Sequence, residues 1–258
     1  MLVSHSKKFI FIKVPKSAGN AVESYFERYC REPSADPNNF GWGGNPVIES
    51  EFGIVGSRRG GNEDKFKAHQ TAENLREILP REVWGQYLKF CVIRNPYDAI
   101  ISLFWHKIHI LKISDVVDSW DFPVAKALFE ASLKGDVSNV LTEILSRGGM
   151  DFPAIEQCVD RFNSFGLSNV VKLDRFYTAD GASLMDRYIM YDDFIGDLEK
   201  VALELGLNDP VELKTIHGGY RRFRDKQVAD YYSEDSAHAV YKNNKITIDK
   251  FGFKSGIE

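Results

Sequence analysis

Lys16, Ser17, Gly19 and Asn20 fall within five consecutive residues of KFIFIKVPKSAGNAVESYF. A run of β-formers breaks at Pro15, passes these polar residues and enters an amphipathic pattern. This is a strand leading through a tight loop into a helix. Such a loop presents unpaired backbone N–H groups and the positive end of a helix dipole, which suits a phosphate. Lys16 adds a point charge, Ser17 and Asn20 add donors, and Gly19 lets the backbone approach an anion closely. The kinase-type loop GxxxxGK[ST] does not match, because Lys16 precedes the glycine here. The plainer reading is a strand-to-helix turn with an exposed lysine and no ligand.

A second stretch, CVIRNPYDAIISLFWHK, ends a strand at Arg94 and starts a helix at Asn95-Pro96. Ser102 follows Arg94 by slightly more than two helical turns, so it lies on the Arg94 side, about 10 Å further along. A bent arginine and a serine there could grip one phosphate. The plainer reading pairs Arg94 with Asp98 and buries Ser102.

The elements that must position these groups follow from periodicity. Strands are expected at Lys8–Val14, Tyr87–Ile93, Asn169–Leu173 and Tyr188–Tyr191. Helices are expected at Ala18–Tyr29, Thr71–Leu79 with Thr71 as cap, Pro96 to about Leu111, Asp193–Leu205 with Gly206 as stop, and Ser233–Tyr241. Residues 31–65, rich in Pro, Gly and Asn, read as a long loop, and 112–165 as irregular helix broken at Gly148-Gly149. Alternating strands and helices predict an α/β fold with a central parallel sheet flanked by helices on both faces. Ligands in such sheets bind beyond the carboxyl ends of the strands, where Lys16 and Arg94 both fall. A single domain over 1–258 is expected, with insertions near 31–65 and 106–165.

Composition sets bounds. The formal net charge of −4 argues against a general nucleic-acid binder, which needs a basic field. The three cysteines form no CxxC pair, which fits a reducing compartment without structural zinc. No apolar run approaches the roughly 20 residues of a membrane span. A soluble cytoplasmic protein without membrane attachment is expected; oligomeric state is not readable.

VPKSAGNA and VIRNPYDAIIS, in that order, resemble the PAPS-dependent sulfotransferases, specifically the carbohydrate branch that includes heparan sulfate 2-O-sulfotransferase. AHQTAENL with His69 sits where that family commonly has a histidine. YIMYDDFIGDLEKVALELGL and DYYSEDSAHAVYKNNKITIDKFGF resemble its later strand–helix unit and its C-terminal helix. The resemblance implies a P-loop-NTPase-like sulfotransferase fold and PAPS as sulfuryl donor, leaving PAP as product. It assigns the 5′-phosphosulfate to the loop formed by Pro15, Lys16, Ser17, Ala18, Gly19, Asn20 and Ala21, and the 3′-phosphate to Arg94 and Ser102. Arg222, in the cluster Arg221, Arg222, Arg224 and Lys226, is expected over the same nucleotide, although a solvated charge run explains that cluster as well. The family usually has Thr or Ser where Asn20 stands.

The implied chemistry is sulfuryl transfer to a hydroxyl of an acceptor, expected to be an oligo- or polysaccharide or a small metabolite. Lys16 would neutralise charge on the departing oxygen, and His69, with an ordinary pKa of roughly 6.5, would take the acceptor's proton. Glu73 and Asp98 are reserve bases. His5, His106, His109, His217 and His238 have no comparable context, and no spacing completes a metal site. Trp42 could face an acceptor sugar or pack ordinarily. The rival readings are a small-molecule kinase and a non-catalytic nucleotide-binding relative.

Overall fold

The computed structural model describes residues 1–35, 46–58, 64–113, 121–164, 167, 172–213 and 219–257. Trp42, His217, Gly218 and most of the strand expected at Asn169–Leu173 lie outside those residues. Leu173 itself opens a 3-10 turn, Leu173–Phe176.

Apolar strands carry the first of two compact units, Met1–Arg94 with Asp174–Ile216. Strands β1 (Leu2–Ser4), β2 (Phe9–Ile12), β3 (Ile48–Ser50), β4 (Gly53–Val55), β5 (Leu88–Ile93) and, after a small β6–β7 hairpin (Thr178–Ala179, Ala182–Ser183), β8 (Arg187–Met190) are its strands. Six of them form one sheet in the order β3-β4-β1-β2-β5-β8. β2, β5 and β8 run parallel; β2 and the later part of β5 are the continuous buried apolar runs expected of such strands, while β8 (Arg187–Met190) is only partly buried. The sheet is nevertheless mixed rather than parallel throughout. β1 is antiparallel to β2 and β4, and β4 to β3. The links from Ser4 to Phe9 and from Ser50 to Gly53 are too short for a parallel crossover and can only make hairpins. Part of the 31–65 segment expected as loop is therefore the edge of the sheet.

Helix α1 (Gly19–Phe26) runs on as a 3-10 turn to Cys30. Its Val22, Tyr25 and Phe26 share one buried cluster with Phe9, Phe11 and Phe90 of the strands and with Leu198, Val201 and Ala202 of a later helix, Phe194–Glu204. Helix α2 (Ala72–Ile78) is capped by Thr71, whose hydroxyl accepts from the Asn74 N–H at 3.2 Å. Helix α3 (Arg81–Gln86) leads into β5.

The second unit, Asn95–Leu173 with His217–Glu258, is helical. Helix α4 (Pro96–Ile110) has proline at its first position and Asn95 as cap. Three helices, α5 (Phe122–Lys134), α6 (Ser138–Arg147) and α7 (Phe152–Ser164), occupy the expected irregular region. The later helix of the first unit, Phe194–Glu204, is α8. It is followed in the second unit by α9 (Val228–Tyr231), α10 (Glu234–Asn243) and α11 (Lys245–Phe251). The core of this unit is aromatic: Trp105 Nε1 donates to the Tyr231 hydroxyl at 3.1 Å, and the Tyr232 hydroxyl to the Tyr97 carbonyl at 2.8 Å.

Candidate active site

Register alone brings three residues of the first unit to one end of the sheet. Ile12 pairs with Cys91 and Ile93 with Met190. One step past the last pair of β5 and β8, Arg94 lies beside Tyr191, its guanidinium carbon 4.3 Å from the ring centroid. The loop after β2 turns over the same strand ends, and Arg94 Nη1 donates to the Lys16 carbonyl at 2.7 Å. The two motifs read separately in the sequence therefore meet here, 78 residues apart in the chain. Within the second unit Asp98 binds Arg221 at 2.8 Å.

The loop is strained in a way that suits an anion. Lys16 and Ala18 both have left-handed backbone, with φ of 60° and 54°. Non-glycine residues adopt that region only when their surroundings enforce it, and such residues cluster at ligand clamps. Backbone of alternating hand turns successive N–H groups toward one concavity. Ala18 starts α1 without a side-chain cap, so the first N–H groups of the helix are not taken by one. Among the described residues no carboxylate pairs with the Lys16 ammonium. Burial first, and then the Arg94 charge, lower its pKa from the ordinary lysine range to about 8. The loop lysine and the strand-end arginine together make a cationic site that suits a multiply charged anion. The Ser17 hydroxyl makes a long bond of 3.4 Å to the Pro15 carbonyl.

Beneath the loop lies a buried charge cluster that the sequence reading did not single out. Lys13, inside the strand expected at Lys8–Val14, is 5% exposed. Its ammonium donates to Glu23 Oε2 and to Asn20 Oδ1, both at 2.6 Å. Glu23 is fully buried and also meets Arg58 Nη2 at 3.0 Å and the amino group of Met1 at 3.3 Å. Arg58 in turn reaches Glu27 at 2.6 Å. Burial alone would raise the Glu23 pKa, but the Met1 amino group, Lys13 and Arg58 outweigh it and bring it to about 2. Gly19 has a second role here beyond approach to an anion. A Cβ on it would stand 2.6 Å from Lys13 Cγ, so its lack of a side chain makes room for the lysine stem. The signal available in sequence was a charged residue inside an otherwise apolar strand, ten positions before a glutamate on the buried face of α1.

His69 closes the group. Its Nδ1 is 3.0 Å from the Lys13 carbonyl, an acceptor only, so Nδ1 carries the proton and Nε2 is the basic nitrogen. The residue reaches this place because Ser57 and Phe66 to Ala68 pair through backbone hydrogen bonds, and Gln70 staples the turn by accepting from the Lys67 N–H at 2.8 Å. His69 is exposed to solvent, and its ring lies near the Lys13 ammonium. Loss of hydration first, and then the Lys13 ammonium, bring its pKa down to about 4.

The structure thus gathers Pro15 to Ala21, His69 and Arg94 in the first unit. Ser102, half-buried on α4, and Arg222 belong to the second unit. There Arg221 donates to the Lys226 carbonyl at 2.9 Å and Arg224 to the Gly219 carbonyl at 3.3 Å, so these two guanidiniums also hold the basic turn together. His109 stacks on Tyr220 with ring centroids 4.1 Å apart. Glu73, the first reserve base, is exposed near Arg76. Among the described residues no group of three His, Cys, Asp or Glu could hold a metal ion, and no helix is long and apolar enough to cross a membrane.

Comparison with known proteins adds one finding. The family model described as the sulfotransferase family matches residues 1–131, which include every first-unit residue gathered here except Tyr191. No curated protein and no solved structure matches.

Proposed function

The chain belongs to the sulfotransferase family, and from that premise we propose that it transfers a sulfuryl group from PAPS to a hydroxyl of a carbohydrate acceptor, releasing PAP. Sulfuryl transfer in general is the chemistry of the family; the donor and the acceptor class are the proposal. The observation that carries it is the hydrogen bond from Arg94 to the Lys16 carbonyl, which makes one cationic site from the strand-end arginine and the loop lysine.

The residues fit a doubly phosphorylated nucleotide. Lys16 and Arg94 supply two positive charges that feel each other, and the uncapped start of α1 supplies N–H donors. The donor brings an activated sulfuryl group with a phosphate as leaving group. Lys16 would neutralise charge growing on the oxygen that departs. His69, protonated on Nδ1, would accept the acceptor's proton on Nε2 as the new S–O bond forms and the bond to the phosphate oxygen breaks. Its lowered pKa keeps it unprotonated throughout the neutral range. Ser102 and Arg222 are proposed as nucleotide contacts on the sequence pattern alone, and the carbohydrate acceptor likewise rests on the motifs.

Two measurements test this. PAP at 100 times its Kd should stabilise the protein by about 2.7 kcal/mol. Radiolabelled PAPS should transfer label to an oligosaccharide panel, and His69→Ala should lose most turnover while still binding PAP. Turnover with ATP and magnesium but none with PAPS, or full turnover in His69→Ala, overturns the donor or the base respectively.

A further inference from the structure

A lysine inside a buried strand is expensive to keep, and Lys13 is kept by contacts to several other parts of the site. Its ammonium is shared between Glu23 and Asn20 at 2.6 Å each. Its stem occupies the space that a side chain at Gly19 would need. Its carbonyl receives the His69 ring at 3.0 Å. One residue therefore touches the first turn of α1, the glycine of the loop and the histidine, and it is bonded to neither Lys16 nor Arg94 in doing so.

We propose that Lys13 is a positioning residue that sets two groups at once: it fixes the Asn20 amide so that its NH2 end is left to bind the donor's phosphate, and it holds His69 with Nε2 as the basic nitrogen. The inference rests on the proposed function, and extends it to a residue that never meets the substrate.

The first half follows from amide chemistry. A primary amide has an acceptor end and a donor end. With Oδ1 taken by an ammonium, rotating the amide would set NH2 against three N–H donors. The donor end of Asn20 is thereby committed to whatever anion the loop binds. The second half follows from the carbonyl and from charge. Lys13 and, more weakly, the amino group of Met1 oppose protonation of His69, while Glu23 favours it. Arg58 and Glu27 complete the cluster on the far side of Glu23. Lys13 exceeds Glu23 in this balance, so removing its charge moves the histidine toward its ordinary pKa of roughly 6.5.

Lys13→Met tests what the ammonium does in both halves, because methionine keeps a stem over Gly19 and the backbone carbonyl to His69 but removes the charge. The His69 ring is titrated by NMR, PAP affinity is measured by calorimetry, and kcat/KM is followed against pH. The expected result is a His69 pKa raised toward 6.5, an acid limb of kcat/KM that rises with it, and PAP binding weakened about tenfold through the released Asn20. Asn20→Asp, which keeps the Lys13 contact but loses the donor, should weaken PAP binding similarly and leave the His69 titration low. A folded Lys13→Met protein with unchanged His69 titration and unchanged PAP affinity overturns the inference. If His69→Ala is fully active, the base assignment fails, yet the titration and PAP affinity still decide on Lys13. Should Lys13→Met not fold, Lys13→Met/Glu23→Gln removes the buried pair together, and the same two readings apply.

Discussion

The Arg94 guanidinium lies over the Tyr191 ring, its carbon 4.3 Å from the centroid, while one of its nitrogens donates to the Lys16 carbonyl. A long, charged side chain is thereby fixed before any anion arrives. Stacking of this kind contributes about 0.5–2 kcal/mol. Tyr191→Ala should weaken PAP binding by a corresponding factor, read by calorimetry, and Tyr191→Phe should retain most of the affinity because the ring face remains. Equal losses in both variants would show that the hydroxyl, not the face, matters.

Lys16 should set the alkaline limit of the reaction. Its pKa stands at about 8, pushed down by burial and by Arg94. The charged form is lost as pH rises through that value, so kcat/KM for PAPS, which reports the free enzyme, should fall above pH 8. Replacing Arg94 with methionine removes a like charge and should move this limb upward, even as affinity drops. Lys16→Met should lower kcat by about 10²–10³. A profile flat to pH 10 would remove Lys16 from the role.

Gly19→Ala should destabilise the first unit through Lys13 rather than through backbone strain. The new Cβ would stand 2.6 Å from a stem whose far end is pinned between Glu23 and Asn20. Overpacking of this sort costs about 1–3 kcal/mol. In a Lys13→Ala background most of that cost should vanish, and a double-mutant cycle in urea measures the difference. Additive effects would mean that the two residues do not meet.

Glu23 should make the protein acid-sensitive. Its folded pKa of about 2 lies below the ordinary 4.5, so its contribution is complete above pH 4.5 and is lost as pH falls toward 2. A shift of that size corresponds to roughly 3 kcal/mol. Urea unfolding at pH 3 and pH 7 should show a smaller difference for Glu23→Gln than for the parent. Glu23→Ala, which leaves buried cations unbalanced, should cost about 3–5 kcal/mol at pH 7.

β2, β5 and the loop between β2 and α1 were readable because apolar, β-branched and aromatic stretches and a proline–glycine break leave few alternatives. Arg94, Pro96 and the Thr71 cap were readable for the same local reason. The antiparallel half of the sheet was not, since β1, β3 and β4 are three residues each and gain their stability from neighbours far along the chain. Tyr191 was counted as the end of a strand, and its contact with Arg94 is visible only once the β5–β8 register is known. Lys13 and Glu23 escaped notice because a buried ion pair has no periodic signature. Gly19 was read for its freedom of backbone, whereas the structure also uses its missing side chain.

The loop lysine, the strand-end arginine and the tyrosine beneath it come from widely separated stretches of the chain. During synthesis Lys16 leaves the ribosome 78 residues ahead of Arg94, and Tyr191 follows much later still. Until β8 docks, the arginine has no ring to rest on. A nascent or prematurely terminated product lacking that strand would carry both cations yet hold the second one loosely, so affinity for nucleotide should mature only after β8 has been made.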